Sequence, residues 1–273
     1  MADINLHYSM IPNMGDLLNP IIFKKVFNKE ATYQHPDVAD IIGIGSILQQ
    51  VYYPSLFRLA NKKPLHVWGS GFIEESFVAQ EAFNTMKPLR PLNVLALRGK
   101  LTKSYLEKSL GTKIDCILGD PGLLASRVID EMPKKQYSLG IIPHFIENDA
   151  DIWDKIYEKY PGSIMINIQD DPIDVIKTIA SCEVIISSAL HGLIAADAFG
   201  IPNAWVYYSD KVIGQGFKFR DYYSSYDLSA KPFVLTNGDI PDIQNIVEEY
   251  EVPRMSVSKK QDEMIECIYK FWL

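Results

Sequence analysis

One imidazole, His191, interrupts the small and apolar run VIISSALHGLIAADAFGIP (residues 184–202), which also carries a single carboxylate, Asp197. Histidine gains and loses a proton near neutral pH, so where it is held decides whether it can serve as an acid or a base. The pattern reads as a strand over Val184–Ser187, a turn over Ser188–Leu190 and a helix over His191–Gly200. His191 then falls in the first helical turn, at an exposed position beside backbone amides that lack helical partners. Such a terminus attracts anions and disfavours imidazolium, so a bound phosphate would have to restore the proton. Ala195, Ala196 and Ala198 let this helix approach the sheet closely and hold the ring in place. Arg98 offers the complementary chemistry. It leaves the apolar strand of LALRGKLT (residues 95–102), where an exposed arginine is not needed for packing, and its guanidinium suits bidentate binding of a carboxylate or phosphate.

Other turns at strand ends could add backbone and hydroxyl donors. In NMGDLLNP (residues 13–20), Asn13 and Gly15 favour a tight turn and Asp16 is placed to cap the helix that follows. GIGSI (residues 43–47) and WGSGF (residues 68–72) each offer Gly-x-Gly and a serine: Gly45 with Ser46, and Gly69 with Ser70. Neither completes a dinucleotide or Walker A loop, but two successive strands ending this way suggest one shared pocket. Asp120, directly before Pro121 in LGDPGLLA (residues 118–125), reads as a helix cap.

These turns need strands and helices to hold them. Strand-like runs are expected at Ile4–Tyr8, Asp40–Ile44, Leu65–Trp68, Val94–Leu97, Ile114–Leu118, Ser138–Ile142, Ile164–Ile168, Val184–Ser187 and Ala204–Tyr207. Most lead into a turn and then a helical pattern, the signature of parallel α/β units. Apolar patterning lapses in IDEMPKKQYS (residues 129–138), so two α/β domains are expected, residues 1–133 and 134–273. A last helix around Val257–Trp272 carries Met264, Ile265, Ile268, Phe271 and Trp272 at helical spacing and is expected to pack back across both domains.

Composition narrows the function classes. The 273 residues hold 27 Lys and Arg against 34 Asp and Glu, a formal charge of −7, which gives no general attraction to nucleic acid or anionic lipid. Cys116, Cys182 and Cys267 form neither a disulfide framework nor a CxxC site. MADINLHYSM has no basic segment followed by an apolar one, and His191, Asp197 and Pro202 break the most apolar run, so a cytoplasmic protein without a membrane span is expected. No His, Cys or carboxylate cluster has ligand spacing, and no metal is expected.

Taken together, NMGDLLNP, GIGSIL, WGSGF, LALRGKLT, LGDPGLLA, GIIPHF and SSALHGLIAADAFGIP resemble, in order, segments of the polysaccharide pyruvyl transferase family; FKFRDYYSS (residues 217–225) resembles a segment of members acting on bacterial exopolysaccharides. The resemblance implies two Rossmann-like domains facing a central cleft, as in GT-B glycosyltransferases. It implies transfer of pyruvate from phosphoenolpyruvate, a donor substrate with no further cofactor, to two hydroxyls of one sugar as a cyclic ketal. The acceptor it implies is a lipid-linked oligosaccharide of an exopolysaccharide or capsule, met at the cytoplasmic membrane face. By the same carry-over Arg98 binds the donor, His191 of the Leu190-His191-Gly192 motif is the acid, and His144 of GIIPHF is catalytic or supporting. The general base is left between Asp16 and His144. Many members carry arginine directly before Leu-His, where this chain has Ala189. Lys211, Lys218 or Arg220 could supply the missing cation, with Lys218 preferred. A nucleotide-sugar glycosyltransferase and a non-catalytic saccharide-binding or assembly protein are the alternatives.

Overall fold

The computed structural model describes residues 3–53, 63–88, 90–235 and 238–272. In chain order the strands and helices are β1 (Ile4–His7), α1 (Met14–Phe27), β2 (Ala31–Tyr33), β3 (Ile41–Ile42), β4 (Leu65–Trp68), α2 (Glu75–Val78), β5 (Leu92–Leu97), α3 (Lys100–Leu110) and β6 (Ile117–Leu118). After a 3-10 segment at Pro121–Arg127 come β7 (Tyr137–Ile142), α4 (Asp151–Lys159), β8 (Ser163–Met165), α5 (Pro172–Ala180), β9 (Cys182–Ser187) and α6 (Leu190–Ala198). The chain ends with β10 (Asn203–Tyr207), α7 (Phe217–Ser224), β11 (Phe233–Val234), α8 (Ile243–Glu249) and α9 (Arg254–Trp272).

The strands form two parallel sheets, one ordered β2-β1-β3-β4-β5-β6 and the other β11-β10-β9-β7-β8. Each expected strand has a counterpart, because strands covered by helices on both faces read as apolar runs. β2 and β11, which the sequence pattern did not indicate, are short edge strands paired on one side only. An edge needs no apolar face on both sides, so ATY of β2, with two of its three residues exposed, leaves little pattern to read.

Both sheets follow one winding rule. The first runs second-first-third-fourth strand from its edge, and so does the second when read from β8. In such sheets the chain turns in opposite directions on either side of the first and third strands, opening a crevice beyond their carboxyl ends. These are β1 and β3 in one sheet, β7 and β9 in the other. Their last residues are in register, His7 with Ile42 and Ile142 with Ser187, so each pair of loops leaves its sheet side by side.

The halves share an apolar core in which Met14, Ile22 and Phe23 of α1 join Val175, Ile176 and Ile179 of α5 and Ala195 of α6. Cys182 and Cys267 lie in this core as free thiols, and Cys116, also free, is half-buried against a second one. α9 crosses onto the first half: Met264 O accepts from Trp68 Nε1 at 3.2 Å, and Gln261 Nε2 donates to Leu123 O at 2.8 Å. The side chains of Phe271 and Trp272 lie outside the described residues. Among the described residues no helix is long and apolar enough to cross a membrane.

Candidate active site

The two crevices open on one cavity of about 280 Å³. Its walls come from the loop after β1 (Ser9, Asn13) with Asp16 of α1, the loop after β3 (Ser46, Gln49), the loop after β7 (His144), the start of α6 (Leu190, His191) and Lys218 of α7. A concave site with a few convergent polar groups is where small ligands bind.

His191 is the second residue of α6. The turn before it is held by Ser187, whose Oγ accepts from Ala189 N at 2.9 Å and donates to Ile142 O at 2.8 Å. Gly192 is buried against this turn and does not line the cavity. The ring is not exposed, as the sequence pattern suggested, but only 16% accessible, because α1 and the Pro121–Arg127 segment close over it. Among the described residues Nε2 is buried with no hydrogen-bond partner and lies 3.9 Å from Asp120 Oδ2, itself buried and unpartnered on that oxygen. Burial, then the nearby Lys218 and Arg98 charges, pushes the His191 pKa down to about 3, so the imidazole is neutral at pH 7. A bound anion would make protonation more favourable there.

Gly15 explains how α1 can come so near. A methyl group added there would stand 2.0 Å from His191 Nδ1. Gly15→Ala should displace the ring and cost about 1–3 kcal/mol of stability by overpacking. The check is the midpoint of thermal unfolding, and an unchanged midpoint would mean that the ring has room to move.

Lys218 is the lysine that lines the cavity among the described residues. Phe217 and Phe219 on either side are fully buried, and Phe219 stacks on Trp205 of β10 at 4.3 Å, which anchors α7. The ammonium lies 5.7 Å from the Phe219 ring and makes no hydrogen bond or ion pair with the described residues. Burial, then the Arg98 charge, lowers its pKa to about 8, while Asp16 and Glu147 act the other way. Lys211 and Arg220 are not among the lining residues; Arg220 is bonded to Gln215 O and lies 3.8 Å from Glu75.

Arg98 departs from the expected exposed position. It is 1% accessible, and Nε, Nη1 and Nη2 donate to Asp221 Oδ2 (2.9 Å), Ser46 Oγ (2.6 Å) and Phe72 O (2.6 Å). Asp221 also accepts from Thr102 N and Oγ1 at 2.8 and 2.7 Å. The strand end where Arg98 emerges is roofed by α7, which no local pattern announces. Arg98 therefore meets the cavity through Ser46, which lines it.

The first helix is capped by Asn13, not by Asp16: Asn13 Oδ1 accepts from Asp16 N at 3.1 Å, and Asn13 Nδ2 returns a bond to the Asp16 carboxylate. This reciprocal pair turns the carboxyl of Asp16 toward the cavity. Burial raises its pKa to about 6 against the lowering effects of Asn13, Ser9 and Lys218. Gly45 and Ser70 serve the frame, since buried Ser70 donates its hydroxyl to Gly45 O at 3.0 Å. Neither Gly69 nor Ser70 lines the cavity, whereas Ser46 does. His144 lines it with its ring stacked on Phe145, and burial, then Lys218, lowers its pKa to about 3. Asp221 and the second oxygen of Asp120 escaped sequence reasoning, as did Gln49, whose buried Oε1 has no partner among the described residues. Asp120 does cap the Pro121–Arg127 segment, as its motif suggested, but only with Oδ1; a capping signal cannot tell where the other oxygen points.

The sequence model of the family described as polysaccharide pyruvyl transferase matches residues 2–210. Uncharacterized protein L143 of Acanthamoeba polyphaga mimivirus is 29% identical over 275 residues, covering 96% of this chain and 90% of its own length. Succinoglycan biosynthesis protein ExoV of Rhizobium meliloti (strain 1021) is 25% identical over 195 residues, 70% of this chain and 55% of its own. The chain thus spans just over half the length of that second relative.

Proposed function

The chain belongs to the polysaccharide pyruvyl transferase family, and on the premise that it is a pyruvyltransferase we propose that it moves pyruvate from phosphoenolpyruvate to two hydroxyls of one sugar, closing a cyclic ketal on a lipid-linked precursor of a surface polysaccharide. The observation that carries this reading is a neutral, largely buried His191 at a helix N-terminus, sharing one cavity with the unpaired ammonium of Lys218. That pairing suits a small, multiply charged enol. The name of ExoV, a succinoglycan biosynthesis protein, supports an exopolysaccharide acceptor.

In this reading residues 1–133 and 134–273 are two Rossmann-like domains arranged as in GT-B enzymes, the first carrying the acceptor. Lys218 and the amides at the start of α6 hold the donor's anionic groups, and Arg98 adds its fixed charge from behind Ser46. The donor's charge raises the affinity of His191 for a proton, which passes to the methylene carbon and makes the central carbon electrophilic. A sugar hydroxyl adds there, losing its proton to Asp16; phosphate departs, and a second hydroxyl closes the ketal. Of the two hydroxyl protons, one replaces that given by His191 and the other leaves with phosphate. His144, neutral beside Lys218, shapes the donor pocket, and the unpartnered Gln49 Oε1 accepts from an acceptor hydroxyl. No step calls on a metal, since the lysine, the arginine and the helix amides supply the positive charge.

The test is phosphate release from phosphoenolpyruvate with galactosyl, glucosyl and mannosyl lipid-linked acceptors, beside thermal shifts with phosphoenolpyruvate and with UDP- and GDP-sugars. Acceptor-dependent release is expected. Stabilisation by a nucleotide sugar alone would replace this reading with glycosyl transfer. The Lys218 pKa of about 8 adds a sign. Donor binding needs the ammonium, so above pH 8 the loss of its proton should weaken affinity by up to about a further tenfold per pH unit. Lys218→Arg should remove the part of the slope that sets in above pH 8, as guanidinium stays charged throughout; an unchanged slope there would assign it to another group.

A further inference from the structure

We infer that Asp120 is the positioning residue of His191: its Oδ2 accepts the Nε2 proton of the imidazole and leaves Nδ1 as the nitrogen that meets the donor. The inference rests on the reading of His191 as the acid in pyruvyl transfer. It begins from two orphaned atoms. Among the described residues, His191 Nε2 and Asp120 Oδ2 are both buried without a hydrogen-bond partner, and they face each other at 3.9 Å. Buried polar atoms are seldom left unpaired, and here the partner each lacks is the other. A shift of about 1 Å would close the bond to ordinary length.

Asp120 is held as such a role requires. Its Oδ1 accepts from Gly122 N at 2.8 Å, which fixes the carboxyl group and leaves only Oδ2 for the ring. Pro121 sets the turn, and it packs on Gly69, where an added methyl group would stand 2.0 Å from Pro121 Cδ; Gly69 has φ +78°, a conformation that favours glycine. The glycine of WGSGF thus does not touch a ligand. It seats the proline that seats the carboxylate. The groups facing the pair are Lys218 from α7, Arg98 from the end of β5, Asp16 from α1, Asp221 from α7 and Tyr226 from the turn after α7.

The proton count follows. Burial holds the Asp120 carboxyl protonated up to a pKa of about 7, with Asp221 and Asp16 acting in the same sense and Gly122 N and Arg98 against it. Without ligand the pair is therefore close to neutral. A bound anion favours imidazolium with carboxylate, and Asp120 is the nearest proton source. Nδ1–H then gives its proton to the methylene carbon, Nε2–H stays on Asp120, and Nδ1 regains a proton from an attacking hydroxyl. A carboxylate that fixes the tautomer and stabilises imidazolium is the arrangement of the serine protease triad, where the Asp→Asn change costs about 10⁴-fold.

Asp120→Asn keeps the size of the side chain and its cap to Gly122 N, but it presents an amide to Nε2. The expected result is a fall in the rate of acceptor-dependent phosphate release by about 10²–10⁴-fold with phosphoenolpyruvate affinity within threefold, and a shifted pH–rate profile. A variant within threefold of wild type in rate, with the same profile, overturns the inference. The tautomer gives a readout independent of turnover and of the variant's folding. In ¹⁵N-histidine spectra, assigned with His191→Gln, the wild-type protein with phosphoenolpyruvate or inorganic phosphate should show His191 protonated at Nε2. A bare Nε2 overturns the inference. If wild type releases no phosphate with any acceptor, the transfer reading fails, and the tautomer in wild type and Asp120→Asn still decides the pairing.

Discussion

His191→Ala should lower acceptor-dependent phosphate release by about 10²–10⁴-fold, the usual worth of a positioned general acid, while phosphoenolpyruvate still binds within a few-fold of wild type. The split follows from the division of labour in the cavity. In the proposed reading, charge recognition belongs to Lys218 and the α6 amides, which the substitution leaves in place, whereas the proton belongs to His191. The ring is neutral in the free protein, so on that reading it contributes little to attracting the donor and becomes an acid only once the donor is there. Binding and turnover are therefore measured separately, by calorimetry with phosphoenolpyruvate and by initial rates at saturating donor. A rate within threefold of wild type would remove His191 from the chemistry. A loss confined to affinity would make it a binding residue instead. Structural collapse is not expected to blur the result, because α6 is held by Leu193, Ile194, Ala195 and Ala196, all fully buried.

Arg98→Met should have the larger effect on the fold, about 3–5 kcal/mol, which is the usual cost of stranding one partner of a buried ion pair. Its removal leaves Asp221, 0% exposed, with two bonds from Thr102 and no counter-charge, and it strips Ser46 Oγ and Phe72 O of their donor. At about 2–4 °C per kcal/mol for chains of roughly this size, the melting midpoint should fall by about 6–20 °C. Arg98→Met with Asp221→Leu should recover part of that loss, since no unpaired charge remains, and the two changes should be non-additive by about 1 kcal/mol or more. Additive losses would mean that the pair does not act as a unit. The measurement bears on function too. Low activity in an Arg98 variant speaks of donor binding only when its melting curve shows the protein folded at the assay temperature. Arg98→Lys is the useful companion, keeping the charge while giving up the fork of bonds to Asp221, Ser46 and Phe72.

Much of this protein follows from its sequence through short-range physics. Buried parallel strands must be apolar on both faces, so LHVW, SLGII and VIIS announce themselves, and the turns beyond them must carry Gly, Asn, Asp or Ser to change direction. Since ligands of α/β sheets gather at those turns, His191, Asp16 and Ser46 are legible as cavity residues from the sequence. Lys218 is legible only through the family resemblance, as a substitute for the arginine that many members carry where this chain has Ala189. The edge strand ATY is not, because two of its three residues are exposed and leave little apolar pattern.

What only the tertiary structure decided is partnership. Arg98 looks like a free guanidinium until α7, 123 residues later, brings Asp221 against it. Asp120 looks like a cap and is one, yet its second oxygen acquires a meaning only when α6 lays His191 beside it. Ser70 looks like a ligand donor and instead ties two loops together. The physical reason is common to all three. Backbone conformation answers to the few residues around it, whereas the solvation and charge of a side chain are set by whatever the fold stacks within a few ångströms, however far along the chain that lies.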